Sequence, residues 1–518
     1  MKQKQRILMA AAENDALPGA KIGGVGDVIR DLPKALIQEG VVVDTVIPSY
    51  GFLARLDGLE NIGGINVKFS SRHYYVDVLR KSEGADNADH YIIHHSEFSR
   101  KGECIYNDDE DHRPFASDAI KFAFFCSCVA QAITDNLIPK PNVLHCHDWH
   151  TAFLLILIKF AEEHTSLRDI KTIYTIHNLA MQGVRPFDGD ESSFKHWFPD
   201  LHYSIDKIID PRYSDCVNPM RAGILLCDRV QTVSPTYAKE ILQSSDYDAG
   251  LYGGDGLEND LKMRDDRAEV FGILNGCEYP EKFDATPLSQ GKITKLIQLS
   301  IRRWAAKDQT LATAHWLADS DITSWGKKKN IGITITSIGR LTEQKVRILN
   351  TPLACGKTAL QGVLDELANT GTLIMLGSGN PHLEAFLCQA SAENQNFIFL
   401  NGYSDEVSKA LYNFGDLFLM PSSFEPCGIS QMLAMRSGQP CIVNAVGGLK
   451  DTVSHDKNGF VFSGDNIQEQ AQALVDLFKQ TLALYKSNQD KWLRISKAAK
   501  EARFTWKKSA KDYLNKLI

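Results

Sequence analysis

Short apolar runs alternate along this chain with longer stretches whose apolar positions recur at helical spacing. The runs lie at Arg6 to Ala12, Val41 to Ile47, Asn142 to Cys146, Thr172 to Ile176 and Arg229 to Val233, and then at Gly332 to Ile338, Thr372 to Leu376, Phe397 to Leu400, Asp416 to Met420 and Cys441 to Asn444. Apolar runs of this kind bounded by turn residues predict buried strands, and their alternation with helices predicts βα units in parallel sheets. The first unit is explicit: a strand, a turn at Gly23-Gly24-Val25-Gly26, a helix from Asp27 to Gln38, a turn at Gly40 and a second strand. The fold class is α/β, with two Rossmann-like domains in tandem facing across a ligand cleft at the carboxyl ends of their strands.

A chain of 518 residues is too long for one ordinary core. The boundary is expected between Thr286 and Gly291, giving domains over 1–287 and 288–499. The Lys-rich stretch from Trp304 to Lys329 reads as a surface excursion. The segment from Gln489 to Ile518 reads as helical, with Trp492, Ile495, Ala499, Phe504 and Trp506 buried and residues from about 500 to 518 packing back on the first domain.

Composition narrows the function. Hydrophobic residues make up 43% and charged residues 23%, which argues against disorder. A net charge of −7 without any dense Lys/Arg block argues against a nucleic-acid surface. The eleven cysteines include no Cys-x-x-Cys pair and are read as reduced, mostly buried thiols. The basic Met1 to Arg6 is followed by an apolar run, Ile7 to Ala12, too short for a signal peptide, and no stretch approaches the roughly 18 apolar residues of a membrane helix. A cytoplasmic enzyme with no nucleic-acid or membrane partner is expected.

Candidate chemistry follows the strands. Ser422-Ser423-Phe424-Glu425-Pro426-Cys427-Gly428-Ile429-Ser430-Gln431 sets a carboxylate and a glycine between the strand ending at Met420 and a helix that Gly438 stops. Amides at Cys427, Gly428 and Ile429 would face an anion at the helix N-terminus, while Glu425 either takes sugar hydroxyls or caps the helix. Gly339-Arg340-Leu341-Thr342-Glu343-Gln344-Lys345 sets two cations after a strand, suited to a leaving diphosphate or, alternatively, to solvent. Lys21, ahead of Gly23-Gly24-Val25-Gly26, is either a phosphate ligand or a solvated side chain beside a turn; the third glycine of a dinucleotide fingerprint is missing. His145-Cys146-His147-Asp148-Trp149-His150 lacks the spacing of a helical zinc pair, and Asp148 with Trp149 offers a carboxylate and an aromatic face to a sugar. His177 ends another strand, and Tyr403 offers a ring for a nucleobase.

These blocks, with Thr232 to Glu240, Gly272 to Gly276 and Thr452-Val453, resemble the bacterial glycogen synthases and plant starch synthases, which are retaining glycosyltransferases of the two-domain GT-B architecture. They run in family order from residue 21 to about residue 460. The resemblance implies transfer of glucose from ADP-glucose or UDP-glucose to the 4-hydroxyl of an α-1,4-glucan end, with retention and with no metal or other cofactor. It implies His177, Arg340, Lys345 and Glu425 as catalytic, and Lys21, Gly24, Tyr403, Cys427, Gly428 and Ile429 on the donor. It further implies Asp27, Asp148, Trp149 and Asn275 at the sugar and acceptor. The chain departs from the family at Met181, Val346 and Gly256-Leu257-Glu258-Asn259-Asp260, all of which bear on the acceptor. A rival reading keeps the fold and the donor but moves glucose to a small acceptor. No lysine is marked for the pyridoxal phosphate of a phosphorolytic enzyme, and a non-catalytic glucan binder would not need the cations and Glu425.

Overall fold

The computed structural model describes residues 4–84, 88–110, 112–280, 288–308 and 311–518. The chain divides into two compact units, one of Met1–Ser245, Gly253–Gly276 and Trp506–Ile518, the other of Asp246–Tyr252 and Cys277–Thr505. Of the boundary expected at Thr286 to Gly291, Thr286 and Pro287 lie outside the described residues.

The first unit is built on nine strands: β1 Arg6–Ala10, β2 Val42–Pro48, β3 Glu60–Phe69, β4 Arg72–Ser82, β5 Asp89–His94, β6 Val143–His147, β7 Lys171–Ile176, β10 Arg229–Thr232 and β11 Val270–Gly272, with β8 Arg185–Pro186 and β9 Cys216–Val217 in a separate ribbon. The sheet order is β11-β10-β7-β6-β1-β2-β5-β4-β3, parallel except where β4 pairs with β5 and β3. The five strands expected here all form; each is a short run rich in apolar or β-branched residues, and even such polar members as His145 and Gln231 are buried. The β3–β4 hairpin was not expected. In β3 the buried Ile65, Val67 and Phe69 alternate with the exposed Asn66 and Lys68, so only one face is covered and no apolar run appears.

Strand order reverses at β1, whose successor β2 lies on one side and whose later neighbour β6 lies on the other. Helix Gly24–Gln38 packs Val28, Ile29, Leu32 and Leu36 on Ile7 and Met9 of β1, and Trp506, Ala510, Tyr513 and Leu517 of helix Trp506–Lys516 join the same cluster. Helix Ala116–Thr134 corrects one expectation, since it is long and apolar enough to cross a membrane by length and composition, with a mean hydropathy of 1.3. Its apolar character is spread over Ala, Cys, Phe and Val and interrupted by Asp118 and Lys121. It is largely buried inside the unit, with Phe122 and Phe125 wholly enclosed.

The second unit has strands β12 Ile333–Ile338, β13 Gly371–Gly377, β14 Phe397–Asn401, β15 Leu417–Met420, β16 Cys441–Asn444 and β17 Gly459–Phe462, all parallel in the order β14-β13-β12-β15-β16-β17. Strand order reverses between β12 and β15. One face is covered by a cluster containing Leu349, Leu360, Leu364 and Phe478, the other by one containing Ile293, Ile297, Ile301, Ala318, Ile322 and Trp325. The excursion expected at Trp304 to Lys329 is therefore corrected. Helix Thr313–Gly326 turns Ala318, Ile322 and Trp325, at i, i+4 and i+7, onto the sheet, and its polar outer face gave the stretch its surface character. None of the eleven cysteines, each among the described residues, forms a disulfide.

Candidate active site

In the second unit the loops leaving β12 and β15 are neighbours because they flank the point where strand order reverses, the position at which open α/β sheets bind ligands. Both the amide and the hydroxyl of Ser423 donate to the carbonyl of Gln344, at 2.8 and 3.0 Å, tying the loops together. Lys345 stands in the first turn of helix Glu343–Asn350 and its side chain folds back over Gly339, where an added Cβ would lie 3.6 Å from Nζ. Arg340 is exposed and has no side-chain partner among the described residues.

Glu425 is buried. Its Oε2 accepts from the Ser422 hydroxyl at 3.2 Å and lies 3.4 Å from Lys345 Nζ. The main chain around it is braced by Gly447 and Gly448. Gly448 N–H donates to the carbonyls of Glu425 and Pro426 at 3.1 and 3.2 Å, and a Cβ on Gly447, whose φ is +40°, would fall 2.0 Å from the Glu425 carbonyl oxygen. Phe424 stacks on Tyr252 at 5.0 Å, and Arg347 donates to the Tyr252 hydroxyl at 3.2 Å. Gln431 donates to the carbonyls of Cys427 and Gly428 at 3.2 and 3.0 Å, shaping the turn into helix Ser430–Ser437. The amides of Gly428 and Ile429 meet no acceptor among the described residues, so two donors stand at the positive end of that helix. Cys427 is buried. The Tyr403 ring is 61% exposed, its hydroxyl donating to Asp405 at 2.6 Å and its carbonyl accepting from Trp304 Nε1 at 2.9 Å. The hydroxyl thus holds one edge of the exposed ring and the carbonyl fixes the main chain behind it, an arrangement suited to stacking on a planar ligand.

In the first unit the equivalent loops follow β1 and β6. Glu13, which the sequence reading missed, is buried, and its Oε2 accepts from the amides of Ile22 and Gly23 at 2.7 and 2.6 Å while Oε1 accepts from the Tyr106 hydroxyl at 2.8 Å. A carboxylate thus anchors the glycine turn. Gly24, the first residue of helix Gly24–Gln38, faces open space. Lys21 Nζ donates to Asp27 at 2.7 Å and Asp15 at 3.3 Å, and Arg30 joins Asp15, Asp27 and Asp31. Burial pushes the Asp27 carboxyl up against the opposing pull of Lys21 and Arg30. Lys21 is therefore part of a charge network and not merely a solvated turn residue.

Asp148 is buried with φ of +56°, and its Oδ1 accepts from the His177 amide at 2.7 Å. Burial pushes its carboxyl up to about 7 despite the amides of His177 and Asn178. It thus joins the ends of β6 and β7 instead of presenting both oxygens outward. Trp149 corrects the sequence reading: its ring is buried against Phe115, Phe122 and His150 and under Gly183, so it offers no face to a sugar. The first helical residue after Asp148 turns into the core, a direction that the residue type does not encode. His177 is partly exposed and its Nε2 lies 2.9 Å from His147 Nδ1. Asn275 is buried, with its Oδ1 unpaired among the described residues. Of the departing positions, Met181 is exposed, Val346 is buried in the second unit's core, and Gly256 donates its amide to Glu258 at 2.9 Å while Asp260 pairs with Arg221.

A family model described as the starch synthase catalytic domain matches residues 6–263, and one described as glycosyl transferases group 1 matches residues 333–480. The chain is 32% identical over 521 residues to a glycogen synthase of Desulfitobacterium hafniense, covering 98% of this chain and 97% of the relative. It is likewise 32% identical over 525 residues to a glycogen synthase of Lactobacillus acidophilus, covering 98% of each. Among solved structures, the catalytic domain of starch synthase IV from Arabidopsis thaliana bound to ADP and acarbose matches with a TM-score of 0.74 at 23% identity, covering 99% of this chain and 98% of that one. The sucrose-phosphate synthase of Thermosynechococcus elongatus matches with a TM-score of 0.54 at 14% identity, covering 99% and 98%. Both likenesses are of fold, and the fold is GT-B.

Proposed function

Since this chain belongs to the glycogen and starch synthase family and is a glycosyltransferase, we propose that it transfers glucose from ADP-glucose to the non-reducing end of an α-1,4-glucan with retention of configuration. The observation that carries this reading is the meeting of Lys345 and Glu425, 3.4 Å apart, beside Arg340 and the two unpaired amides of Gly428 and Ile429. Departure of a nucleoside diphosphate leaves an oxocarbenium-like sugar. The groups that lower such a barrier are fixed cations at the leaving oxygen and fixed dipoles around the ring. Arg340 and Lys345 supply the cations, with Lys21 as a third; the Gly428 and Ile429 amides hold phosphate oxygens; Glu425 takes glucose hydroxyls. The leaving phosphate takes the proton of the attacking hydroxyl on the same face, so neither a protein nucleophile nor a metal or other cofactor enters the reaction.

His177, Asn275 and Asp27 attend the sugar and the acceptor, Asp148 orienting the first through its amide. Tyr403 stacks on the base; the ADP bound to starch synthase IV supports adenine over uracil. The enzyme works in the cytoplasm. The test offers radiolabelled ADP-glucose and UDP-glucose, without added metal, to glycogen, maltooligosaccharides and a panel of small sugars and alcohols. Label from ADP-glucose growing into glucan is the expected result, and label appearing only in a small glucoside would overturn the acceptor while keeping the donor chemistry.

A further inference from the structure

One face of the first unit's sheet carries polar side chains that run from the helix Trp506–Lys516 to His177. The Tyr513 hydroxyl donates to Gln231 Oε1 at 2.9 Å, and the Thr175 hydroxyl donates to the same oxygen. The Gln231 amide nitrogen donates to the Thr232 carbonyl, which fixes the orientation of the group. Thr175 has only one proton and has spent it, so its oxygen must accept from His145 Nε2, 2.6 Å away. His145 packs against His147 with ring centroids 4.1 Å apart and planes tilted by 35°, the two being strand residues two apart on one face, and His147 Nδ1 meets His177 Nε2 at 2.9 Å. Burial holds all three rings neutral, lowering the pKa of His147 and pushing those of His145 and His177 down to about 3. Each ring therefore carries one proton.

The proton between His147 and His177 has two possible owners. His147 Nε2 is buried and has no partner among the described residues. Were His177 the donor, His147 would have to carry its proton on that Nε2, as an orphaned buried N–H. Were His147 the donor, Nε2 would be only an unfilled acceptor, which proteins tolerate more readily. We propose that His147 is a positioning residue, donating from Nδ1 to His177 Nε2 and so fixing His177 as the tautomer whose Nδ1–H is free to donate to a sugar hydroxyl. The inference rests on the role assigned to His177 above, and it makes a buried neighbour responsible for that group's polarity.

The experiment compares full-length wild type with His147→Phe, His147→Asn and His177→Ala. It combines two-bond proton–nitrogen correlation spectra of histidine-labelled protein with kcat and KM for ADP-glucose and glycogen. In wild type the proton of His177 is expected on Nδ1. In His147→Phe it moves to Nε2 and kcat falls roughly 10- to 100-fold with KM for the donor little changed. His147→Asn, whose amide can donate from nearly the same position as Nδ1, recovers most of the loss and the wild-type tautomer. A His177 proton on Nε2 in wild type would overturn the proposal, and so would full activity in a His147→Phe enzyme whose tautomer has switched. His177→Ala with unchanged transfer would instead overturn the role given to His177, with the spectroscopic result standing on its own.

Discussion

Lys345 Nζ and Glu425 Oε2 lie 3.4 Å apart, the lysine in the first turn of the helix that follows β12 and the glutamate on the loop that follows β15, on either side of the second sheet's reversal point. The lysine neutralises a carboxylate that is otherwise buried, so that an anion arriving at Lys345 meets a cation already in position and a glutamate free to turn its other oxygen to a hydroxyl. Replacing either by alanine is expected to lower kcat by orders of magnitude while far-UV circular dichroism keeps the wild-type spectrum. Near-normal turnover in Glu425→Ala or Lys345→Ala would remove the pair from the catalytic machinery.

Gly447 gives a purely steric prediction. A Cβ there would approach the Glu425 carbonyl oxygen to 2.0 Å on a backbone with φ of +40°. Gly447→Ala is expected to move Glu425 and cut kcat by roughly 100-fold or more. Gly356→Ala is the control: φ is +80° but a Cβ would meet nothing within 4 Å, so it should cost about 1 kcal/mol of stability and no activity. Equal activities in the two variants would contradict the bracing role of the glycine turn.

Asp148 makes stability depend on pH in a definite direction. Its folded-state pKa lies near 7, above the ordinary value of 3.8, so folding favours the protonated form. The stability this contributes is complete below about pH 4 and is lost as pH rises towards 7. Asp148→Asn keeps the acceptor oxygen, and Asn tolerates the positive φ as well as Asp does. The difference in unfolding free energy, variant minus wild type, is expected to grow from pH 4 to pH 7 and then level off, reaching on the order of a few kcal/mol. A flat difference in thermal melts across that range would show that the carboxyl is ionised throughout.

Tyr403 should act through its ring. Tyr403→Ala is expected to raise KM for ADP-glucose by roughly 5- to 20-fold, the worth of one stacked aromatic, whereas Tyr403→Phe loses only the bond to Asp405 and stays near wild type. A Phe variant as impaired as the Ala variant would assign the effect to the hydroxyl.

The strands expected from the sequence all form because each is a short run rich in apolar and β-branched residues, and the residues after them inherit their positions from sheet order. That is why Arg340, Lys345 and Glu425 could be named before their contacts were visible. Trp149 could not be judged in the same way. It follows a strand as they do, but it is the first residue of a helix whose inward face is set by Phe122 and Gly183, far away in sequence. Glu13 was illegible for the opposite reason. A single acidic residue after a strand carries no signal until the turn nine and ten residues later brings its amides back. The His147 proton was likewise beyond reach, since its owner follows from which atoms on three strands go without partners.

The division of the chain has a temporal meaning. Trp506, Ala510, Tyr513 and Leu517 complete the cluster around Ile7 and Met9 of β1, and the ribosome makes them only after it has made the whole of the second unit. Until then β1 and helix Gly24–Gln38 keep part of their apolar surface uncovered, so the unit whose synthesis begins first is the one whose folding is finished last.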